Sequence, residues 1–387
     1  MTIMRILPRV LLLSLSAVVI TVPLVGHARL SAQQAAGRAG QPAPPTPTLG
    51  LEHGTLDFDT PEFTLKLVKD SQTIFAMQPK GAKGMDADTP FDFTPADQLT
   101  ARQGDRFNHL GDITLRVKQE PALAEASAGQ GGAWIDLSSS DARKPVAAVA
   151  SVGALPAGAK LLAAADLTPT LPETSPLQIT RSWQLDASGH LVLHFDLRNR
   201  TAAPVTIGGL GFPVVFNNMI QNFATSRART LPQAHEICSF FDPYVGRDAG
   251  YLQVTRLSGA GPALVVVPES GTQTPFEAFR PLNDASRRGQ TFEGAFEWTV
   301  ASQGYAENEW KNVDQWNAPT SVVLNPGETR AYGLRFLLSD EIRHIERTLA
   351  ANDRPVAVGI PGYIVPMDIE AKLFLTPGKR GVKNIEI

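Results

Sequence analysis

The segment YAENEWKNVDQWN, Tyr305 to Asn317, sets two glutamates one residue apart, Glu307 and Glu309, among Tyr305, Trp310 and Trp316. Paired carboxylates beside indole rings suit glycoside chemistry, with one carboxyl as acid, the other as base, and the rings against the CH face of a sugar. On extended backbone the two glutamates point to one side with α-carbons roughly 6.5 to 7 Å apart, twice the strand rise. Inverting glycosidases hold their carboxyl groups about 6.5 to 9.5 Å apart, so the spacing is permitted. It is also cheap, since any E-x-E strand has it. The same residues suit a carbohydrate-contacting rim, or plain structural packing by Trp310 and Trp316.

Two further polar clusters stand out. FNNMIQN places Asn217, Asn218 and Asn222 after an apolar run, and FFDPYVGRDAGY places Asp242, Tyr244, Arg247, Asp248 and Tyr251 in a turn-rich stretch. Amides, carboxylates and rings together match the donors, acceptors and CH faces of a sugar. The sugar-binding candidates are therefore Trp310, Trp316, Tyr305, Asn217, Asn218, Asp242, Tyr244 and Asp248. Against this stands the reading of Asn and Asp as turn formers, with tyrosines packed at a sheet edge.

The common catalytic motifs are missing. His235-Glu236 begins a zincin pattern, but Ser239 stands where the second histidine is required. No G-x-S-x-G elbow occurs, and GGLG at 208 to 211 lies between strands rather than at a phosphate. Asp86, Asp88, Asp92 and Asp97 space like a calcium loop, yet Phe91 occupies the glycine position. The expectation is an acidic loop, with no metal and no cofactor. Cys238, the only cysteine, lies near His235 and Asp242 but is expected as a small buried apolar residue.

The elements that would position these residues are strands. TLDFD, FTLKLVK, DITLRVK, LQITRSWQL, HLVLHFDLRN, PVTIGGLGFPVVF, YLQVTRL, PALVVVP, TFEGAFEWTV, TSVVLN and TRAYGLRFLL are short, β-branched or aromatic, and separated by turn formers. In HLVLHFDL, Leu191, Leu193, Phe195 and Leu197 make one apolar face. Asn199-Arg200-Thr201 spells a glycosylation sequon and is better read as a turn. One helix is expected in SDEIRHIERTLAAN, capped by Ser339 or Asp340, with Ile342, Ile345 and Leu349 on one face. Residues 121–176 read as irregular connections and short edge strands. About a dozen strands with little helix predict a mainly β fold, a large antiparallel β-sandwich of the supersandwich kind with a short helix near the C-terminus.

With 387 residues, 43% of them hydrophobic, the chain can bury a substantial core. A net charge of -3 with scattered Lys and Arg argues against nucleic acid as a partner. Arg5 and Arg9 precede VLLLSLSAVVITVPLV, and small residues follow, so residues 1–32 read as an export signal cleaved after Ala28 or Ala32. The apolar run, about 16 residues and broken by Pro23, falls short of the roughly 20 that span a bilayer, so no transmembrane anchor is expected here. Export places the chain in a secreted or periplasmic setting, where one cysteine forms no internal disulfide. Residues 33–48 read as a Pro/Ala/Gly-rich linker, 49–338 as the sandwich, and 339–387 as a helix and terminal strands that complete or leave it.

Several stretches carry a resemblance: TLDFDTPEFTLKLVKDSQTI, FDFTPADQLTARQGDRFNHLGDITLRVK, RSWQL, GGLGFPVVFNN, CSFFDPYVGRDAGYLQVTRL, PFEAFRPL, YAENEWK and ANDRPVAVGIPGYIVPMDIEAKLFL. Together they resemble the bacterial and fungal family called domain of unknown function 5695, from about Leu49 to Ile387. The resemblance implies the N-terminal sandwich that precedes an (α/α)6 helical barrel in many carbohydrate-active enzymes, where the barrel usually supplies acid and base. No run of paired helices follows VKNIEI, so the expectation is a fragment, a separately encoded half, or a binding module. The first reading is an exported carbohydrate-active protein that binds a polysaccharide or oligosaccharide and supports glycosidic cleavage by a missing or partner barrel. The second is a structural or interaction domain that docks a partner chain, and the third keeps Glu307 and Glu309 as a catalytic pair.

Overall fold

The computed structural model describes residues 50–84, 88–94, 108–119, 132–140, 144–216, 230–247, 249–272, 275–282, 296–360, 362 and 366–378. Asn217, Asn218 and Asp248 lie outside these residues, as do the expected export signal and tether. The chain opens with a three-stranded meander, β1 (Thr55–Asp59), β2 (Phe63–Val68) and β3 (Ile74–Pro79). There follow β4 (Thr114–Gln119), β5 (Ile135–Ser138), β6 (Ala147–Ala148), β7 (Lys160–Asp166), β8 (Leu177–Leu185), β9 (Leu191–Asn199) and β10 (Val205–Val214). A short helix α1 (Leu231–Ile237) leads to β11 (Ser239–Tyr244), β12 (Tyr251–Arg256), β13 (Ala263–Pro268), β14 (Ala278–Pro281) and β15 (Phe296–Ala301). Then come α2 (Gln303–Ala306), β16 (Val322–Leu324), β17 (Thr329–Ser339), α3 (Ile345–Ala351) and a final hairpin of β18 (Val356–Ile360) and β19 (Lys372–Thr376).

Two large antiparallel sheets hold most of these strands. One has six strands in the order β14-β15-β10-β4-β5, with β16 also pairing β10; the other has eight, β11-β12-β13-β17-β9-β8-β7-β6. Alternation fixes which face turns inward. In β9, Leu191, Leu193, Phe195 and Leu197 have no exposed surface, and Phe195 meets Phe212 of β10 at 5.6 Å between ring centroids. Phe241 of β11 meets Phe296 of β15 at 5.7 Å. Such inter-sheet contacts make one continuous apolar core, and the expected large β-sandwich is the observed architecture.

Several local expectations are corrected. Residues 160–166, inside the stretch read as irregular connections and short edge strands, form β7, an interior strand of the eight-stranded sheet, because KLLAAAD buries its alanines there. FFDPY is strand β11 rather than a turn-rich loop, paired residue by residue with β12. The C-terminal helix is capped by neither Ser339 nor Asp340: Ser339 ends β17, Ile342–His344 form a 3-10 turn, and α3 begins at Ile345. Its buried face is Ile345 and Leu349, as its periodicity requires.

Candidate functional site

Strand β10 is buried along its whole length, which requires cover on the outer face of the six-stranded sheet as well as the inner one. Its sequence supplies the room. Opposite β4 the register shifts between Ile207 and Gly209, making Gly208 the extra residue of a β-bulge. A side chain at Gly208 would overlap the six-membered ring of Trp134, and a Cβ at Gly209 would lie 2.8 Å from both Arg116 Cβ and Tyr305 Cε2. The two glycines are thus the floor on which Trp134 and Tyr305 lie.

The loop after β15 brings Tyr305 to that floor. Its two ends are tied together by the backbone N–H groups of Ser302 and Gln303, both donating to the Thr320 carbonyl. Beneath them the buried Glu277 accepts from the Ser302 hydroxyl at 2.7 Å, from the Thr320 N–H at 3.0 Å and from the Thr320 hydroxyl. Glu307 and Glu309 do not lie on extended backbone. They follow the single turn of α2 in a tight turn closed by Glu307 N–H to the Gln303 carbonyl and Trp310 N–H to the Tyr305 carbonyl.

Each carboxylate there has partners. Arg116 of β4 donates to Glu309 at 2.6 and 2.7 Å, to Asp136 of β5 at 2.6 and 2.9 Å, and to the Gly304 carbonyl at 3.1 Å. Glu307 accepts from the Trp134 indole N–H at 2.8 Å and from Gln303 at 2.9 Å. The Arg116 and Arg280 guanidinium groups each stack on the Tyr305 ring at 4.4 Å, and Lys118 lies over Trp134 at 5.2 Å. Trp310 packs against Tyr305 with centroids 5.2 Å apart, and Trp316 is 89% exposed. Beneath this shelf Glu297 of β15, with no exposed surface, takes Arg280 at 2.6 Å and the Thr114 hydroxyl.

The charges set the chemistry. Gln303 and Trp134 hold the Glu307 carboxyl below its ordinary value, and Arg116 does the same for Glu309. Asp136 first, and then Glu309, raise the Arg116 pKa against the effect of burial. Both glutamates are therefore ionised at neutral pH, whereas a glycosidase's general acid needs a raised pKa. Burial pushes Glu297 up, opposed by Arg280 and Thr114, but it is sealed under the shelf. The arrangement offers rings, fixed carboxylates and guanidinium groups, which is the equipment of recognition.

The structure brings Tyr305, Glu307, Glu309 and Trp310 of the sequence-based candidates together with Arg116, Lys118, Trp134, Asp136 and Arg280, which the sequence did not single out. AWIDLS was the available signal, since Trp134 and Asp136 sit two apart at the edge of a strand. Asp242 and Tyr244 are not brought to the shelf; they lie on β11 of the other large sheet. There Tyr244 stacks on Tyr251 at 4.4 Å and hydrogen-bonds Asp242, whose carboxyl burial nevertheless raises. Of the expected acidic loop, Asp86 and Asp97 lie outside the described residues, while Asp92 is buried and accepts the N–H groups of Met77 and Thr94 at 2.9 Å. Cys238 is buried against Ala234, Ile237 and Leu257. Among the described residues no helix is long and apolar enough to cross a membrane.

The two-sheet antiparallel sandwich has counterparts among solved structures. A polysaccharide lyase shares it with a TM-score of 0.51 at 11% identity, over 84% of this chain and 44% of the lyase. A galactose mutarotase-like protein from Lactobacillus casei aligns with a TM-score of 0.37 at 10% identity, over 74% of this chain and all of that one. An α-galactosidase of family GH36 from Geobacillus stearothermophilus, solved with stachyose, gives 0.31 at 9% identity over 74% of this chain and 39% of the enzyme. The likeness is one of fold, and this chain spans less than half the length of the lyase it matches. No curated protein matches at a significant level. The chain belongs to the family of unknown function DUF5695, whose profile matches residues 66–387.

Proposed function

We propose that this chain is an exported carbohydrate-binding β-sandwich that holds a polysaccharide for glycosidic cleavage by an (α/α)6 helical barrel, on the same or a partner chain. The observation that carries the reading is the shelf over Gly208 and Gly209. Trp134 and Trp310 present rings there, and Glu307, held by Trp134 and Gln303, Glu309 and Asp136, both held by Arg116, and Lys118, over the Trp134 ring, supply polar groups. Fixed rings bind a flat sugar face without losing rotamer freedom. The glutamates act as positioning and hydrogen-bonding groups, not as acid and base, because both are held ionised and Glu309 is committed to Arg116. Affinity electrophoresis of the chain through a panel of soluble polysaccharides tests this. Retardation by at least one polymer, lost in Trp134→Ala and Trp310→Ala with melting temperature kept, is the expected result. Equal retardation of wild type and both variants would remove the shelf from the account.

A docking role is favoured by one other observation. In the terminal hairpin, Ile360, Leu373, Phe374 and Leu375 are each at least 40% exposed, and every residue of β19 is open to solvent. Apolar strands left open in this way mark an interaction surface. Self-association measured by light scattering, and its loss in Phe374→Ser, would support docking; a monomer with and without the substitution would count against it.

A further inference from the structure

A second site lies where the small sheet meets the two large ones. A cavity of about 150 Å³ is lined by the 3-10 turn before β1, the β2–β3 turn, the loop before β4, the end of β5 and the approach to β6. A volume of that size holds one six-membered ring. Its mouth is exposed at Glu52, His53 and Lys144, whereas Thr73, His109, Asp112, Ser139 and Ser140 on its walls are buried, so it reaches from the surface into the protein.

The walls are rigid and polar. Asp112 accepts the His109 backbone N–H at 2.8 Å and the Ser139 hydroxyl at 2.7 Å, with His109 Nδ1 at 3.6 Å. Burial alone would raise the Asp112 pKa, but His109 and Ser139 hold it low and keep the carboxylate charged. Across the mouth Asp70 pairs with His53 at 2.6 Å, and Ser71 bonds Thr73 at 2.7 Å. The frame behind is the fully buried Arg181 of β8, which donates to the Gly111 carbonyl at 2.6 Å and to the Ser71 carbonyl, while the Trp183 indole donates to the Gln72 carbonyl at 2.8 Å. Gln72 is held at φ 51°, a left-handed conformation that non-glycine residues seldom adopt and that surrounding contacts must enforce. A strained turn locked by a buried guanidinium and an indole is the construction of a preorganised pocket, not of a casual surface dent.

From this cavity we infer that the chain has a site for one neutral, polyhydroxylated six-membered ring, such as the terminal residue of a saccharide. Four hydroxyls, two imidazoles and three carboxylates set donors and acceptors around a ring-sized space, which is what a sugar's hydroxyls require. Glu52, Asp70 and Asp112 set against Lys144 and Arg181 leave little net charge to hold an anion. The inference shares the carbohydrate reading above but none of the shelf residues, so the two fail separately.

Saturation-transfer NMR of the full chain with methyl glycosides of glucose, galactose and mannose, and with glucuronate as the anionic comparison, tests the inference. Millimolar binding of at least one neutral glycoside is expected, with at least a tenfold loss in Ser71→Leu, whose longer side chain would fill the space while its backbone carbonyl still serves Arg181. His53→Ala and Lys144→Ala, exposed at the mouth, guard against a fold defect and should each weaken binding with melting unchanged. The inference is overturned if no neutral glycoside binds, if glucuronate alone binds, or if Ser71→Leu, His53→Ala and Lys144→Ala all bind as wild type does. Loss of glycoside binding in Trp310→Ala alone would move the ring to the shelf and likewise overturn it.

Discussion

Arg280→Met is the sharpest probe of how the shelf is held. Glu297 has no solvent exposure, and two nitrogens of Arg280 meet its Oε1 at 2.6 Å while Thr114 serves its other oxygen. Methionine keeps the apolar stem and removes the charge, leaving a buried carboxylate with one hydroxyl donor. Breaking a buried pair in this way costs about 3–5 kcal/mol. Arg280 is itself 19% exposed, which favours the lower end, and loss of its stacking on Tyr305 adds about 0.5–1 kcal/mol. The sign of the pH dependence follows from the direction of the shift. Burial already holds the Glu297 pKa above its unfolded value, so protonation favours the fold; removing Arg280, which opposes that shift, raises it further. The stability gap between variant and wild type should therefore narrow as pH falls from neutral toward 5. Urea unfolding at both pH values measures it, and Arg280→Met with Glu297→Gln should recover much of the loss, since a neutral amide costs less to bury unpaired. A loss under about 1 kcal/mol at neutral pH, or a gap that does not change with pH, would refute this reasoning.

Other substitutions separate the roles of neighbouring residues. Gly208→Ala should push out the half-buried Trp134 ring and weaken polysaccharide binding with little effect on stability, whereas Gly209→Ala, wedged between Arg116 Cβ and Tyr305, should cost about 1–3 kcal/mol by thermal unfolding. Glu309→Gln should cost less than about 1 kcal/mol, because Glu309 is 52% exposed and Asp136 remains to pair Arg116. For His194, burial alone would lower the pKa, but hydrogen bonds to Asp196 and Glu269 raise it to about 9. Its contribution is present below the ordinary imidazole value and lost as pH rises through 9, so an alkaline fall in stability should be smaller in His194→Gln.

The two-sheet architecture was legible because alternation survives wherever one face of a strand is buried, as in β8, β9 and β17. It failed at β7, where alanines give no contrast between faces, and at β11, where Asp-Pro in FFDPY imitates a turn although Pro243 sits on an edge strand. The shelf was half legible: aromatic and acidic residues in YAENEWK announced themselves, but Arg116 and Trp134 come from nearly 200 residues upstream, and only the fold joins them to Glu309 and Glu307. The E-x-E spacing misled, because those residues follow a helical turn instead of lying on a strand. The ring-sized cavity left no motif, as its walls come from five separate segments that no local pattern links.

The central claim is that the sandwich holds polysaccharide on the Trp134 ring over Gly208 and the Trp310 ring packed on Tyr305. Calorimetric titration of the chain and of Trp134→Ala with the polysaccharide that retards it most tests this directly. One lost aromatic contact of about 1–1.5 kcal/mol predicts roughly tenfold weaker binding in the variant, with unchanged unfolding. Undiminished affinity in Trp134→Ala, or the lack of binding to every polymer tried, would contradict it.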